Sequence, residues 1–248
     1  MISLQRTVWW CNVRGRASIG GLRHHARMNA SPLIIDFVSD VSCPWCAIGL
    51  ASLQTALRRV GPDVPVELHF QPFELNPQMV AEGEDIAEHL SRKYGSTPEQ
   101  AAAVRETIRA RGAELGFVFT PGKRSRIYNT FDAHRLLHWA HLQGAQAQLD
   151  LKQALLKAYF TDGEDPSNHG VLLRLVQAVG LDSVRAGAIL AGDEFARDVR
   201  EQEQFYLRQG IHAVPAVVIN NRHVISGGQP PELYEQALRQ IAAQEAPY

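Results

Sequence analysis

The sequence of 248 residues contains only three cysteines and no apolar run close to the length of a membrane span. Three cysteines are too few for the disulfide framework that stabilises small secreted domains. A bilayer-spanning helix needs about 20 consecutive apolar residues, so we predict no membrane partner. Basic and acidic residues number 25 and 26, and this balance lacks the excess of positive charge that nucleic-acid-binding proteins carry. We therefore expect a protein without nucleic-acid partners that is stabilised by a packed core.

Residues 1–32 form a leader whose charge differs from that of the rest of the chain. The leader contains five arginines and no acidic residue. Its apolar pieces are too short for a secretory signal, which leads us to predict a cytoplasmic protein. An arginine-rich leader is typical of an organellar transit peptide. Because no core pattern precedes Pro32, we favour instead a disordered extension or a true start at Met28, and we treat Cys11 as incidental.

Apolar periodicity predicts a strand–helix–strand unit after the leader. The short β-branched run Leu33–Val38 predicts a buried strand, and apolar residues at helical spacing predict a helix from Cys46 to Val60. Alternation over Val66–Phe70 predicts a second strand, which should end before Pro72 because proline interrupts a ladder of hydrogen bonds. A strand–helix–strand unit of this kind forms a parallel crossover.

The remaining chain reads as a long helical block followed by two strands and a helix. Residues 84–209 predict one helix after another. The later elements are strands at Ala216–Ile219 and His223–Ser226 and a helix from Pro231 to about Ala243. We therefore predict an α/β fold in which residues 33–83 and 210–246 form one domain and residues 84–209 form an inserted, all-helical domain.

The sequence Cys43-Pro44-Trp45-Cys46 lies between the first predicted strand and the helix that follows it. Unpaired N–H groups and the partial positive charge at a helix N-terminus favour the thiolate form of cysteine. We therefore predict Cys43 as the exposed nucleophile and Cys46, one turn into the helix, as the more buried resolving thiol. Pro44 suits the first helical position because its missing donor has no helical partner there.

Two alternatives for this cysteine pair stay open. A structural zinc site needs four ligands, and no second Cys-x-x-Cys accompanies the pair, so we predict no metal. Two unrelated buried cysteines are the second alternative, since free cysteine is often buried.

Val214-Pro215 directly precedes the predicted strand Ala216–Ile219. A proline is tolerated at the start of a strand, so this pair is either a strand marker or a cis-proline beside the cysteines. In the second case the backbone of Val214 would lie next to Cys43, ready to pair with an extended peptide.

Together these features resemble the thioredoxin-like DsbA family, and in detail its FrnE-type branch. The resemblance covers about residues 33–243. It rests on the blocks Asp36–Cys46, Gln71–Pro77, Asn129–Leu136, Gly210–Ala216 and Ile225–Pro230. It implies a thioredoxin-like fold (βαβ followed by ββα) with a large all-helical insertion.

The resemblance also implies thiol–disulfide exchange without a bound cofactor. Cys43 and Cys46 would form the redox-active disulfide, and Pro215 would be the cis-proline. Val214, Pro215, Pro44 and Trp45 would contact the substrates, which would be proteins that carry thiols or disulfides, with glutathione as a candidate electron donor. The same branch is similar to 2-hydroxychromene-2-carboxylate isomerases and kappa-class glutathione transferases. Glutathione-dependent conversion of a small aromatic compound is therefore the alternative function.

Other polar residues lie at positions where their role is ambiguous. Asp36 interrupts an apolar strand, so it is either a buried proton acceptor for Cys46 or a residue at the sheet edge. Asp40 is predicted to cap the turn before Cys43. His134, His138 and His141 share one helical face, which fits either a metal site or, as we favour, a partly buried helix face.

Overall fold

The computed structural model describes residues 31–245, so the predicted leader, apart from Ser31 and Pro32, lies outside the described residues. The described strands are β1 (Leu33–Ser39), β2 (Val66–Pro72), β3 (Glu84–Asp85), β4 (Arg126–Ile127), β5 (Ala216–Ile219) and β6 (His223–Ser226). The described helices are α1 (Pro44–Val60), α2 (Ile86–Tyr94), α3 (Pro98–Glu114), α4 (Phe131–Gln143), α5 (Ala145–Lys157), α6 (His169–Ala178), α7 (Ser183–Ala191), α8 (Ala196–Arg208) and α9 (Pro231–Glu245). Over this part of the chain, no helix has both the length and the apolar character needed to cross a bilayer.

Four strands from the two ends of the described chain form one mixed sheet in the order β2-β1-β5-β6. β1 and β2 are parallel, as expected for a crossover through α1, and the other pairs are antiparallel. The predicted bounds of β5 and β6 are confirmed. The predicted end of β2 before Pro72 is wrong, because Pro72 still pairs with Ser39. β2 is an edge strand, where a missing donor is tolerated.

The alternation of side chains along the sheet separates two cores. Ile35 and Phe37 of β1 pack on the same side as Cys43 and Cys46, in a core that α1 and α9 cover. Residues of opposite parity in β1 and β5, with Tyr206 of α8, form a smaller core on the other side. The odd-numbered residues of β1 therefore face the cysteines, and the even-numbered residues face the opposite side of the sheet.

The block between the two parts of the sheet is mostly helical, as predicted. Leu136, Leu155, Leu172 and Ile189 bring α4 to α7 together in a separate core. The all-helical prediction for residues 84–209 misses one feature, the antiparallel pairing of β3 with β4. Each of these strands has two residues, which is too short to produce an alternating pattern in the sequence.

Candidate active site

Cys43 is the N-cap residue of α1 and Cys46 lies in the first turn of the helix. The backbone of Cys43 is extended (φ −91°, ψ 114°), and Pro44 occupies the start of the helix. The carbonyl oxygen of Cys43 accepts hydrogen bonds from the amides of Cys46 (3.0 Å) and Ala47 (3.3 Å). The Cys43 side chain makes no capping hydrogen bond, so it lies at the positive end of the helix without a bond to the helix backbone. The helix predicted from Cys46 therefore begins two residues earlier.

Both cysteines are free thiols, and both are buried. The exposed fraction is 4% for Cys43 and 0% for Cys46. The order of accessibility agrees with the prediction, but the prediction that Cys43 is exposed is wrong. The loop before β5 covers it, since the Cys43 thiol donates a hydrogen bond to the carbonyl oxygen of Val214 at a distance of 3.8 Å.

The Cys46 thiol resists ionisation in its surroundings. Burial, followed by its hydrogen bond to Cys43 and the negative charge of that residue, raises the pKa of Cys46 well above its ordinary value. The positive charge of Lys152 and the backbone of Asp40 act in the opposite direction. Cys46 therefore holds its proton in the reduced protein.

Pro215 lies against the first turns of α1. The Val214–Pro215 peptide bond is cis. A Cβ atom on Gly49 would lie 3.0 Å from Cγ of Pro215, which is closer than most Cβ contacts in proteins, so a side chain here would require Pro215 to shift by a few tenths of an ångström. Trp45 and Val214 are partly buried against the same core as the cysteines. The structure thus brings the residues predicted for substrate contact to one place around Cys43, while their role in binding stays a prediction.

Asp40 holds together the segments that surround the cysteines. Its carboxylate accepts hydrogen bonds from the amide of Ser42 (3.1 Å), the hydroxyl of Ser42 (2.9 Å) and the amide of Leu75 (2.8 Å). Nε2 of His134 lies 3.5 Å from the same carboxylate. Burial raises the pKa of Asp40, but these partners outweigh burial and lower the pKa to about 2. The predicted capping of the turn by Asp40 is confirmed.

The loop after β2 forms one wall of the site and is fastened to α2. The ammonium group of Lys93 donates hydrogen bonds to the carbonyl oxygen of Leu75 and to the side-chain oxygen of Asn76, both at 2.7 Å. The next residue, Tyr94, has 60% of its surface exposed. Burial and then the charge of Cys43 raise the pKa of Tyr94, so its phenol lies within electrostatic reach of that sulfur. Sequence reasoning did not predict that the end of α2 lies near Cys43.

Asp36 lies on the side of the sheet that faces away from the cysteines. It is buried on β1, which has neighbours on both sides, so its predicted place at the sheet edge is wrong. It accepts a 2.6 Å hydrogen bond from Gln71 and contacts the phenol of Tyr206. Because Ile35 and Phe37 point toward the cysteines, Asp36 points the other way. The prediction that Asp36 accepts the proton of Cys46 is therefore wrong.

The three histidines of α4 do form a partly buried face, as favoured from the sequence. His134 is buried beside Asp40, and the ring of His141 lies 4.8 Å from that of His69. Burial, then the nearby charges of His69 and His138, lower the pKa of His141. Within residues 31–245, no group of three or more His, Cys, Asp or Glu side chains is placed to hold a metal ion.

Lys152 is the residue near the cysteines that sequence reasoning missed. It lies on α5, is fully buried, and interacts electrostatically with Cys46, Asp40 and Cys43. The signal was present in the pattern of α5, where the buried stripe contains Leu151, Leu155 and Leu156 together with this one lysine. A charged residue at a core position of an amphipathic helix marks a site that needs explanation.

Three comparisons place this geometry among known proteins. The model of the DSBA-like thioredoxin domain matches residues 34–239. The uncharacterized protein YwbO of Bacillus subtilis is 26% identical over 206 residues, which cover 82% of this chain and 94% of YwbO. A probable DsbA oxidoreductase from Streptomyces coelicolor is 31% identical, with a TM-score of 0.80 over 87% of this chain and 92% of its own.

A more distant structure shares the fold alone. The cytosolic disulfide reductase DsbM from Pseudomonas aeruginosa, in a structure with GSH, is 16% identical, with a TM-score of 0.56 over 85% of this chain and 99% of its own. The thioredoxin-like fold with inserted helices, implied by the resemblance of the sequence, is confirmed. The chain belongs to the family of DSBA-like thioredoxin domains.

Proposed function

We propose that this protein is a thiol–disulfide oxidoreductase in which Cys43 attacks substrate and Cys46 resolves the product. One observation carries the proposal: Cys43 lies at the N-terminus of α1 beside the Val214 carbonyl oxygen, with Cys46 buried one turn behind it. The membership in the family of DSBA-like thioredoxin domains supports a redox role.

The reaction proceeds through a mixed disulfide. The Cys43 thiolate attacks one sulfur of a substrate disulfide, forms a new S–S bond, and displaces the other substrate sulfur as a thiolate. Cys46 then attacks the sulfur of Cys43 and displaces the second substrate sulfur. The substrate gains two electrons, and the protein retains a disulfide between Cys43 and Cys46. In the oxidising direction the same steps run in reverse.

Cys43 is the more accessible of the two thiols, and burial keeps Cys46 protonated until the mixed disulfide forms. Once Cys43 is bonded to substrate, it no longer carries the negative charge that raises the pKa of Cys46. Cys46 thus becomes easier to ionise at the step that uses it. Accessibility and the raised pKa of Cys46 together support attack by Cys43 and resolution by Cys46.

The proposed substrates are proteins that carry disulfides or thiols, and they would bind in the space around Val214, Pro215, Pro44 and Trp45. Glutathione is the proposed electron donor, a proposal supported by the Pseudomonas structure that was determined with GSH. No bound cofactor is needed, since both electrons reside in the cysteine pair. The proposed compartment is the cytoplasm, where a thiol pair stays mostly reduced.

Mixed-disulfide trapping tests the proposal. The reduced Cys46→Ser variant, mixed with a peptide disulfide, should accumulate a covalent adduct at residue 43, visible by intact mass. The Cys43→Ser variant should form no adduct and lose turnover. Equal turnover by the Cys43→Ser variant and the wild type would refute the assignment.

The same variants separate this function from the alternative suggested by the sequence. A glutathione-dependent isomerase or transferase should bind glutathione saturably and convert a hydroxychromene or an electrophilic substrate. We expect glutathione to act only as an electron donor. Efficient conversion of such a substrate by the Cys43→Ser variant would favour the alternative, because a serine would then occupy the position of the nucleophile.

A further inference from the structure

Lys152 carries a buried amino group whose hydrogen-bonding capacity is unused. The side chain is fully buried, and Nζ has no hydrogen-bond partner among the described residues. The ring centre of Phe70 lies 6.0 Å from Nζ. The buried carboxylate of Asp40 is occupied by Ser42, Leu75 and His134 rather than by the lysine. Within the part of the chain that the structure describes, the charge of Lys152 thus has no direct ion pair.

An unpaired buried ammonium group is unfavourable for folding, so a structural role does not explain this residue. Burial removes most of the hydration of the charge, and no group among residues 31–245 replaces the lost hydrogen bonds. A methionine of similar length would fill the same space without that penalty. The lysine therefore requires a reason outside stability.

The surroundings of Lys152 point to the resolving cysteine. The titratable groups that face it are Cys43 and Cys46 from α1, Asp40 from the loop after β1, and His134, His138 and His141 from α4. The Asp40 carboxylate already accepts hydrogen bonds from its own donors, and Cys43 lies at the positive end of α1. Cys46 is therefore the group whose negative charge has no other compensation.

A small polar cavity lies beside the lysine. Its volume is about 30 Å³, which is room for about two water molecules. The lining includes buried residues, Lys152 and His134, and half-buried ones, His138 and His141. Polar side chains therefore line the space between the buried lysine and partly exposed residues of α4.

We propose that Lys152 is a positioning residue for the resolving step, whose buried ammonium group stabilises the Cys46 thiolate as it attacks the mixed disulfide at Cys43. This inference rests on the proposed function. In this step the Cys46 S–H bond breaks, an S–S bond forms between Cys46 and Cys43, and the substrate sulfur leaves with both electrons of the old S–S bond. The departing thiolate takes up the proton that Cys46 loses, with water as carrier. At neutral pH Lys152 keeps its proton during this step.

The size of the effect follows from the acidity of the thiol. An opposite charge within a few ångströms typically changes a pKa by about 1 to 3. Each rise of one in the pKa of Cys46 lowers the fraction of Cys46 present as thiolate about tenfold but increases the reactivity of that thiolate about threefold. Loss of the ammonium group should thus slow resolution by about threefold to thirtyfold at neutral pH.

A two-phase reaction with the aromatic disulfide 5,5′-dithiobis(2-nitrobenzoate) isolates this step. The first thionitrobenzoate released by the reduced protein reports attack by Cys43, and the second reports resolution by Cys46. In stopped-flow measurements from pH 6 to 10, Lys152→Met should slow the second phase at least threefold at pH 7 and move its midpoint to higher pH. The first phase should change less, and Lys152→Arg, which keeps the charge, should restore the second phase.

Lys157→Met is the matched control, because Lys157 lies on the same helix with 64% of its side chain exposed. The rates of its two phases should equal those of the wild type. If Lys152→Met does not fold, Lys152→Gln takes its place and has the same expected result. A second phase within threefold of wild type at every pH would overturn the role of Lys152. Absence of the first phase in the wild type would instead refute the proposed function.

Discussion

Replacement of Lys152 by methionine should stabilise the folded protein at neutral pH. Burial lowers the pKa of Lys152 from its ordinary value of 10.5 to about 8, although the charges of Cys46, Asp40 and Cys43 oppose this change. Below pH 8 the folded protein must carry a proton that the unfolded chain binds more tightly. This difference corresponds to a penalty of about 3 kcal/mol for the wild type at pH 7.

The penalty disappears as pH rises. Between pH 8 and 10.5 the folded protein releases the proton of Lys152 before the unfolded chain does, so the wild type gains stability relative to Lys152→Met over that range. At pH 7 the variant should be more stable by up to about 3 kcal/mol, or roughly 6–12 °C in Tm for a domain of this size. By pH 10.5 the two proteins should be nearly equal.

Urea unfolding at a series of pH values under reducing conditions measures the difference in unfolding free energy between the two proteins at pH 7 and its change with pH. The exposed Lys157→Met variant loses only a surface ion pair with Asp162, so its stability should differ little from that of the wild type between pH 7 and 10. A Lys152→Met protein that is less stable than the wild type at pH 7 would refute the reasoning. It would show that the buried ammonium group is fully compensated by its surroundings.

Three further substitutions test other parts of the structure by denaturant unfolding. Asp40→Asn should cost about 2 kcal/mol at pH 7, because the pKa of Asp40 is lowered to about 2, and the difference should vanish as pH falls from about 4 through 2. Burial and the charge of Glu203 raise the pKa of Glu74 to about 7. Glu74→Gln should therefore be more stable than the wild type at pH 8 and should lose that advantage below pH 4.5. An advantage that persists at pH 4 would contradict this explanation. Gly49→Val should displace Pro215, destabilise the fold by about 1–3 kcal/mol and slow the reaction of Cys43, and an unchanged melting curve would show that this contact is not tight.

Local sequence patterns predicted most elements of the sheet and the helix that carries the cysteines. The runs at Leu33 and Ala216 are apolar and β-branched, and glycine and proline at positions 61 and 62 end α1, so the local signals agree with the fold. The position of Cys43 at a helix start follows from the same signals. Strand and helix boundaries shifted by only a few residues.

Contacts between distant elements were less accessible to sequence reasoning. Whether Asp36 faces the cysteines depends on which side of the sheet α1 covers. Because side chains alternate along a strand, a shift of one residue along β1 would place Asp36 on the other side. The contribution of Lys152 depends on how α5 is rotated against the sheet, and that rotation is set by the packing of the whole helical block. Such properties follow from tertiary packing rather than from local pattern.

The most direct test of the central claim is a redox titration of the wild-type protein in glutathione buffers, with trapping of free thiols and peptide mass analysis. The proposed function predicts a single two-electron transition in which Cys43 and Cys46 become linked to each other. A tenfold change in the equilibrium constant then corresponds to about 30 mV. Persistence of both free thiols in oxidising buffer, or a stable glutathione adduct on Cys43 without a Cys43–Cys46 disulfide, would contradict it.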